Sequence, residues 1–248
     1  MAADLVLSLF PGIGMLDSAF ESEGFCVVRG PDILWGGDIR RFHPPAGTFD
    51  GVIGGPPCQA HSSFAAINAE RGNRIAEDLV PEFARCILEA GPRWWLMENV
   101  PAVPDLKLPG FGVSRRLVDN RWFGMEQRRV RCFQFGAQGF PPRLDIGGSL
   151  AVLEASKVEA TCLAKEGSAG RLTNKRVNGK QQTKYHPRRD WGRFCELQGL
   201  PAEFLEDAPF TNEARYRVVG NGVPIAMGRA IARAVKLAIA DAEKAVRR

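Results

Sequence analysis

Leu5-Val6-Leu7-Ser8-Leu9-Phe10-Pro11-Gly12-Ile13-Gly14 decides the fold of this chain. Its first six residues form a nearly unbroken apolar run with the length of a strand buried on both faces. Pro11, Gly12 and Gly14 then enforce a turn, and Leu16, Ala19 and Phe20 recur at i, i+3, i+4, as on one face of a helix. The rhythm continues outward. Phe25–Arg29 and Phe49–Ile53 read as strands. Leu79, Val80, Phe83, Ile87 and Leu88 mark a helix with Pro81 in its first turn, and Trp94–Met97 is the next strand. Strands alternating with helices predict a mostly parallel sheet with helices on both faces. From Arg129 to Phe135 the period changes to two, with Val130 and Cys132 on one face and Arg129, Arg131 and Phe133 on the other.

The 248 residues suit one large or two small domains, and 45% hydrophobic with 25% charged residues is an ordinary globular composition. No apolar run approaches the roughly 20 residues a membrane span needs. Met1-Ala2-Ala3-Asp4 lacks the basic-then-apolar order of a signal peptide, so a cytoplasmic protein is expected. Cys26, Cys58, Cys86, Cys132, Cys162 and Cys195 include no C-x-x-C pair, and His43, His61 and His186 show no paired ligand spacing. Reduced cysteines and no metal are therefore expected. The net charge is +5. The window Lys165–Arg189 alone holds eight Lys/Arg against one acid, Glu166, so the positive charge is concentrated there. Within it, Glu166–His186 reads as a flexible loop rich in Gly, Ser, Asn, Lys and Gln. Pattern returns at Trp191–Leu200, and a last helix starts at Pro224. The expected division is a catalytic and cofactor-binding lobe, residues 1–135, completed by a C-terminal helix over 217–248. A small basic lobe over 136–216 is inserted between them.

Four constellations carry chemistry. In Gly54-Gly55-Pro56-Pro57-Cys58-Gln59, two prolines stiffen the backbone at a strand end and aim one thiol, the presentation of a nucleophile. The plain alternative is a turn that happens to hold a cysteine. Phe10-Pro11-Gly12-Ile13-Gly14 lets a nucleotide-like ligand approach a helix N-terminus, although a dehydrogenase turn, or a turn with no ligand, would look the same. Asp32 and Asp38 are placed to hold a ribose and an adenine amine, or serve as helix caps. Glu98-Asn99-Val100 puts a carboxylate at the end of an apolar strand, where burial would raise its pKa and let it donate a proton. Gln127-Arg128-Arg129-Val130-Arg131 puts two guanidiniums on one face, able to grip a carbonyl oxygen or a phosphate; the plain alternative is a basic edge strand.

These motifs occur in the order Phe10-x-Gly12-x-Gly14, Gly55-Pro56-Pro57-Cys58-Gln59, Glu98-Asn99-Val100, Gln127-x-Arg129-x-Arg131. Glu196-Leu197-Gln198-Gly199-Leu200-Pro201 and Gly220-Asn221-Gly222-Val223-Pro224 follow. As an ordered set they resemble the DNA (cytosine-5)-methyltransferases, in particular compact solitary enzymes of phages and prophages. The resemblance covers nearly the whole chain except about residues 136–190. It implies an α/β, Rossmann-like S-adenosylmethionine-dependent methyltransferase fold plus a small basic target-recognition lobe.

The resemblance also implies a mechanism. A cytosine flips out of the duplex. Cys58 attacks its carbon 6, Glu98 serves ring nitrogen 3 and the exocyclic amine, and Arg131, helped by Arg129, holds the carbonyl at position 2. The Pro57 carbonyl meets the exocyclic amine. S-adenosylmethionine, leaving as S-adenosylhomocysteine, would lie on Phe10, Gly12, Gly14 and Pro56, with Asp32 at the ribose, Asp38 at the adenine, and Asn221 and Val223 closing over it. Gln59 and Ser62 would touch the DNA, and Lys175, Arg176, Lys180 and Lys184 of the basic lobe would meet it through phosphates. The expected partner is double-stranded DNA. A monomer is expected, with no membrane, no metal and no nuclease visible in this chain; restriction-modification and phage self-protection both suit it. Three departures stand out. Only five residues separate Asp32 from Asp38, where the family usually has a fuller helix and strand. His61 replaces an aromatic residue, and Met15 stands where a small residue is common. The competing classes are a DNA-binding module that has lost catalysis and a nucleotide-cofactor oxidoreductase. An RNA substrate or a modified sulfonium donor would be close variants of the first reading.

Overall fold

The computed structural model describes residues 4–57, 77–147, 158–169, 171–177 and 180–247. Strand β1 (Leu5–Leu9) runs into helix α1 (Met15–Ser22), which returns the chain to β2 (Cys26–Arg29). Two short 3-10 turns, Ile33–Trp35 and Ile39–Arg41, take the place of a crossover helix before β3 (Gly51–Gly54). Helix α2 (Val80–Ala90), β4 (Trp94–Asn99), β5 (Gly112–Asp119) and β6 (Val130–Ala137) follow. These strands form one sheet in the order β2-β1-β3-β4-β6-β5. The first four are mutually parallel, and β6 runs antiparallel to both β4 and β5.

Successive residues of each central strand go to opposite cores, the period of two expected of a pleated strand. Val6, Trp94, Leu96, Phe133 and Phe135 pack with Phe20 of α1 and with Ile231 and Val235 of the last helix. Leu7, Leu9, Val52, Trp95, Met97 and Cys132 pack with Phe83 and Ile87 of α2. Helices therefore cover both faces, as the alternating pattern predicted. The two indoles need room. Trp94 pairs with Gly51 and Trp95 with Gly136, and a Cβ on either glycine would collide with the facing ring. Both tryptophans are fully buried.

The remaining elements are α3 (Glu166–Ala169), β7 (Arg171–Val177), β8 (Lys180–His186), α4 (Trp191–Leu197), α5 (Asn212–Asn221) and α6 (Ile225–Val246). Cys162, Phe194, Leu197, Tyr216 and Val219 form a separate small core. Val223 and Met227 already belong to the main one, so the chain passes between the two cores at the end of α5. Helix α6 lies on α1 and is fixed by charge. Arg229 and Arg233 bond the Glu23 carboxylate at 2.8 Å each, just past the end of α1, and the Lys236 ammonium donates to the Glu23 carbonyl, where a helix C-terminus favours cations.

One expectation needs correction, and one strand carried no expectation. Glu166–His186 is not an irregular loop, because β7 and β8 pair antiparallel along their whole length. Its polar composition hides the alternation that a two-stranded ribbon needs. Strand β5, Gly112–Asp119, carries Arg115 and Arg116 in its middle and gave no apolar signal in the sequence, yet it is the edge partner of β6. No helix among the described residues is long and apolar enough to cross a membrane.

Candidate active site

The carboxyl ends of β1, β3 and β4 lie side by side because these strands are neighbours and parallel. Ligands of open α/β sheets bind at such an edge. Strand β1 delivers the Phe10–Gly14 turn, β3 delivers Gly55-Pro56-Pro57, and β4 ends on Glu98 and Asn99. Strand β6, being antiparallel, starts at this same edge and brings Arg129, Val130 and Arg131 to it. Cys58, Gln59, His61 and Ser62 lie outside the described residues.

Glu98 is 9% exposed and stands over the β3 loop: a Cβ added to Gly55 would lie 3.2 Å from its Oε2. Arg131 Nε meets Glu98 Oε1 at 3.0 Å. Burial pushes the Glu98 carboxyl above the usual carboxylate range, against the opposing pull of Arg131 and Arg129. Asn99, next along β4, donates from its side chain to the Pro56 carbonyl at 3.1 Å, while its own Oδ1 accepts from Val100 N–H at 2.8 Å. The Glu98-Asn99 pair thus supplies an acid and a brace for the loop that leads to Cys58. The sequence singled out Glu98 and missed the brace, whose only signal was its place within the motif.

Arg129 is fully buried, and its guanidinium donates to backbone carbonyls: Nη1 to Cys162 at 3.2 Å, and Nη2 to Gly220 and Gly222 at 3.0 Å each. The sequence expectation set it beside Arg131 as a second grip on substrate. Gln127 extends the same network. Its amide donates to the Leu197 carbonyl at 2.7 Å and to Gln198 Oε1 at 3.0 Å, and its Oε1 accepts from Cys162 N–H. Gln198 in turn donates to the Val219 carbonyl at 2.6 Å. Three sequence motifs therefore meet in one buried polar network that joins the sheet to the small core.

The first turn has the shape of a cradle. Phe10 adopts φ +57°, a left-handed conformation uncommon for a residue with a Cβ. A Cβ on Gly12 would meet nothing within 4 Å, so the turn is open there. On Gly14 it would strike the Arg29 guanidinium, which is held by buried Asp17 at 3.0 Å. Asp17 also accepts from the Ser8 hydroxyl at 2.6 Å, so Ser8, Asp17 and Arg29 brace the turn, a role sequence reading did not assign. Asp32 accepts from Gly12 N–H and Leu34 N–H at 2.8 Å each, and the Trp35 indole N–H donates to the Gly12 carbonyl at 2.7 Å. Asp38 caps the second 3-10 turn and faces Arg40, whose Nε and Nη2 lie 2.9 and 2.8 Å from its oxygens; these bonds hold its pKa down to about 2. Arg40 also reaches Glu77 at 3.1 Å. Asn221 is exposed and Val223 buried. Gly222 between them packs on the Met15 thioether, bringing the last loop to the first turn.

Buried thiols elsewhere are held protonated: burial raises Cys86 to about 11 and Cys195 to about 12. Among the described residues, no group of three or more His, Cys, Asp and Glu could hold a metal ion. Lys175, Arg176, Lys180 and Lys184 fall on β7 and β8.

A family model described as C-5 cytosine-specific DNA methylase matches residues 36–194. The type II methyltransferase M.FnuDI of Fusobacterium nucleatum is 31% identical over 163 residues, 53% of this chain and 46% of that protein. M.NgoPII of Neisseria gonorrhoeae is 29% identical over 53% of this chain and 47% of its own length. The chain therefore spans about half the length of these relatives. Among solved structures, a DNA modification methyltransferase encoded within an E. coli prophage superposes with a TM-score of 0.60 at 18% identity, covering 96% of this chain and 100% of that one. The S. pombe Dnmt2 methyltransferase superposes with 0.61 at 14% identity, covering 96% and 99%. At these identities the two structures share the fold.

Proposed function

Because this chain belongs to the C-5 cytosine-specific DNA methylase family, we propose that it methylates carbon 5 of a cytosine flipped out of duplex DNA. The observation that carries the reading is the buried Glu98, paired with Arg131 and set directly over the loop that Asn99 braces before Cys58. Cys58 in thiolate form adds to carbon 6 of the ring. Glu98, whose raised pKa keeps a proton within reach, serves ring nitrogen 3 as charge develops there. Arg131 holds the ring carbonyl. S-adenosylmethionine supplies the electrophilic methyl group that carbon 5 takes up. Loss of the carbon-5 proton to a base and expulsion of the Cys58 sulfur restore the aromatic ring and the free thiolate.

The residues of the first turn fit that cofactor. The open face of Gly12, the left-handed Phe10 and the Asp32 carboxylate form a cradle at a helix N-terminus. Asp38 can receive an adenine amine while bound to Arg40, since each carboxylate oxygen accepts more than one hydrogen bond. Pro56, Asn221 and Val223 would complete the site. Arg129 is assigned a positioning role, because its guanidinium fixes the carbonyls on either side of Asn221. The small core with its basic ribbon is the target-recognition lobe, and the enzyme acts in the cytoplasm on the resident DNA.

The test is mass spectrometry of nucleosides from host DNA after expression of wild type and Cys58→Ala. A gain of 5-methylcytosine with wild type alone is expected. Equal 5-methylcytosine from both proteins would overturn the role of Cys58. No modified cytosine from folded wild type would overturn the reaction.

A further inference from the structure

The turn that carries Asp38 is a short piece of chain with little to fix it from within. Between β2 and β3 the crossover holds two 3-10 turns and no α-helix, and the second of them, Ile39–Arg41, is three residues long. Asp38 caps it. The Asp38 oxygens are taken by the Arg40 backbone N–H and guanidinium, two residues on, which travel with the turn. A 3-10 turn of this length has few internal bonds and no cooperative stability of its own. Its placement against the sheet must come from outside. The Ile39 side chain supplies one hold by burying in the core that α2 covers.

Arg85 supplies a second hold. It sits in the middle of α2, whose Phe83, Cys86 and Ile87 are buried, so its backbone is fixed. Within the helix its Nε donates to Glu82 Oε2 and its Nη1 to Glu89 Oε1, at 2.8 Å each and one turn to either side. These two carboxylates fix the plane of the guanidinium and leave Nη2 directed off the helix. Nη2 donates to the Ile39 carbonyl at 2.8 Å and to the Phe42 carbonyl at 3.0 Å. Those carbonyls belong to the first residue of the turn and to the residue that ends it. Glu89 also lies 3.0 Å from Nδ1 of His43, the next residue along. The helix therefore grips the turn at both ends through a planar group whose rotation is locked. Pairing with Glu82 and Glu89 alone would make only an ordinary surface ion-pair cluster and would not engage the carbonyls.

We propose that Arg85 is a positioning residue for the cofactor: by holding the Ile39 and Phe42 carbonyls it sets the Asp38 carboxylate where it receives the adenine amine of S-adenosylmethionine. The inference rests on the reading that Asp38 serves that amine. Arg85 touches no ligand itself and acts through the turn. The Asp38 side chain is 26% exposed, so water competes for its oxygens. An amine that meets a displaced carboxylate keeps its water and gains nothing from binding. Recognition of the amine therefore depends on where the turn stands, and α2 decides that through one guanidinium. A lysine at this position has three donors on a single nitrogen, and cannot serve two carboxylates and two carbonyls in a fixed plane.

The probes are S-adenosylhomocysteine and S-inosylhomocysteine, which carry an amine and a carbonyl respectively at the same purine carbon. Calorimetry compares wild type, Arg85→Ala and Arg85→Lys, each checked for folding by urea unfolding. Wild type is expected to favour the amine ligand by roughly tenfold or more, the effect of one hydrogen bond to a charged acceptor. Both variants are expected to lose most of that preference, through weaker binding of the amine ligand with the carbonyl ligand nearly unchanged. Methyl transfer is expected to show a raised KM for S-adenosylmethionine, with kcat at saturation within about twofold of wild type. Arg85→Lys keeps a cation beside Glu82 and Glu89, so it carries the test where Arg85→Ala fails to fold. A folded Arg85→Lys protein that keeps the full preference, or that weakens both ligands equally, overturns the inference. A wild type that binds both ligands equally overturns the placement of Asp38 at the adenine, and the inference falls with it. A folded wild type that binds neither overturns the cofactor reading itself.

Discussion

Glu98 closes β4 with the Arg131 guanidinium against it and the Gly55 backbone beside it. An acid at the end of Trp94–Met97 was legible as a buried carboxyl, because the apolar run before it promised burial. Its contact with Arg131 and its position over Gly55 came only from the antiparallel placement of β6 against β4, which no local pattern encodes. The raised pKa fixes a sign. The folded protein holds the Glu98 proton more tightly than the unfolded chain, where the ordinary value is 4.5. This contribution to stability is full below that value and is lost as pH rises through the higher folded value. Glu98→Gln is expected to remove that loss, so urea unfolding at pH 4 and pH 8 should show the variant gaining on wild type at the higher pH. The same substitution is expected to lower methyl transfer by about 10²–10⁴-fold, the usual contribution of a positioned acid or base, measured as kcat on duplex DNA.

Among the elements, those with an apolar period were legible and those without were not. Strands β1, β3 and β4 and helices α1, α2 and α6 bury continuous or striped apolar residues, and each was found within a few positions. Strand β5 escaped because Arg115 and Arg116 break its apolar pattern, although Val118 reaches the core, and the β7–β8 ribbon escaped because period two is silent in a hydrophilic sequence. Asp32 and Asp38 were legible as acids after a strand. Their setting as caps of two 3-10 turns follows from a connection too short for a helix. The ribbon's root, where Glu166 before β7 meets Arg189 after β8 at 2.9 Å, is the element whose loss should cost most. Arg189→Ala leaves the Glu166 carboxylate buried without its partner, which typically costs about 3–5 kcal/mol. Urea unfolding is expected to show a loss of that size. Arg188→Ala, which removes one hydrogen bond beside it, is expected to cost about 1 kcal/mol.

For the whole molecule, the decisive contacts join motifs that are far apart in sequence. Arg129 bonds carbonyls 91 and 93 residues further along, and Gln127 reaches across 70 residues to Leu197. That the motifs belong together was legible from their order. That Arg129 braces the Asn221 loop was not, because its partners are backbone atoms without a sequence signature. Arg129→Lys keeps the charge but loses the planar fork that serves several carbonyls at once. It is expected to weaken S-adenosylmethionine binding by roughly tenfold in calorimetry, with a smaller change in kcat at saturating cofactor.

The indole of Trp35 carries a further consequence. Its N–H holds the Gly12 carbonyl and its ring is 62% exposed, whereas Trp94 and Trp95 are fully buried. A solvated indole emits at longer wavelength than a buried one, so the red edge of the intrinsic fluorescence senses the first turn while the blue edge reports the integrity of the sheet. Of the five tryptophans only Trp35 is exposed, so a ligand that fills the first turn is expected to shift the red edge of the emission without any label.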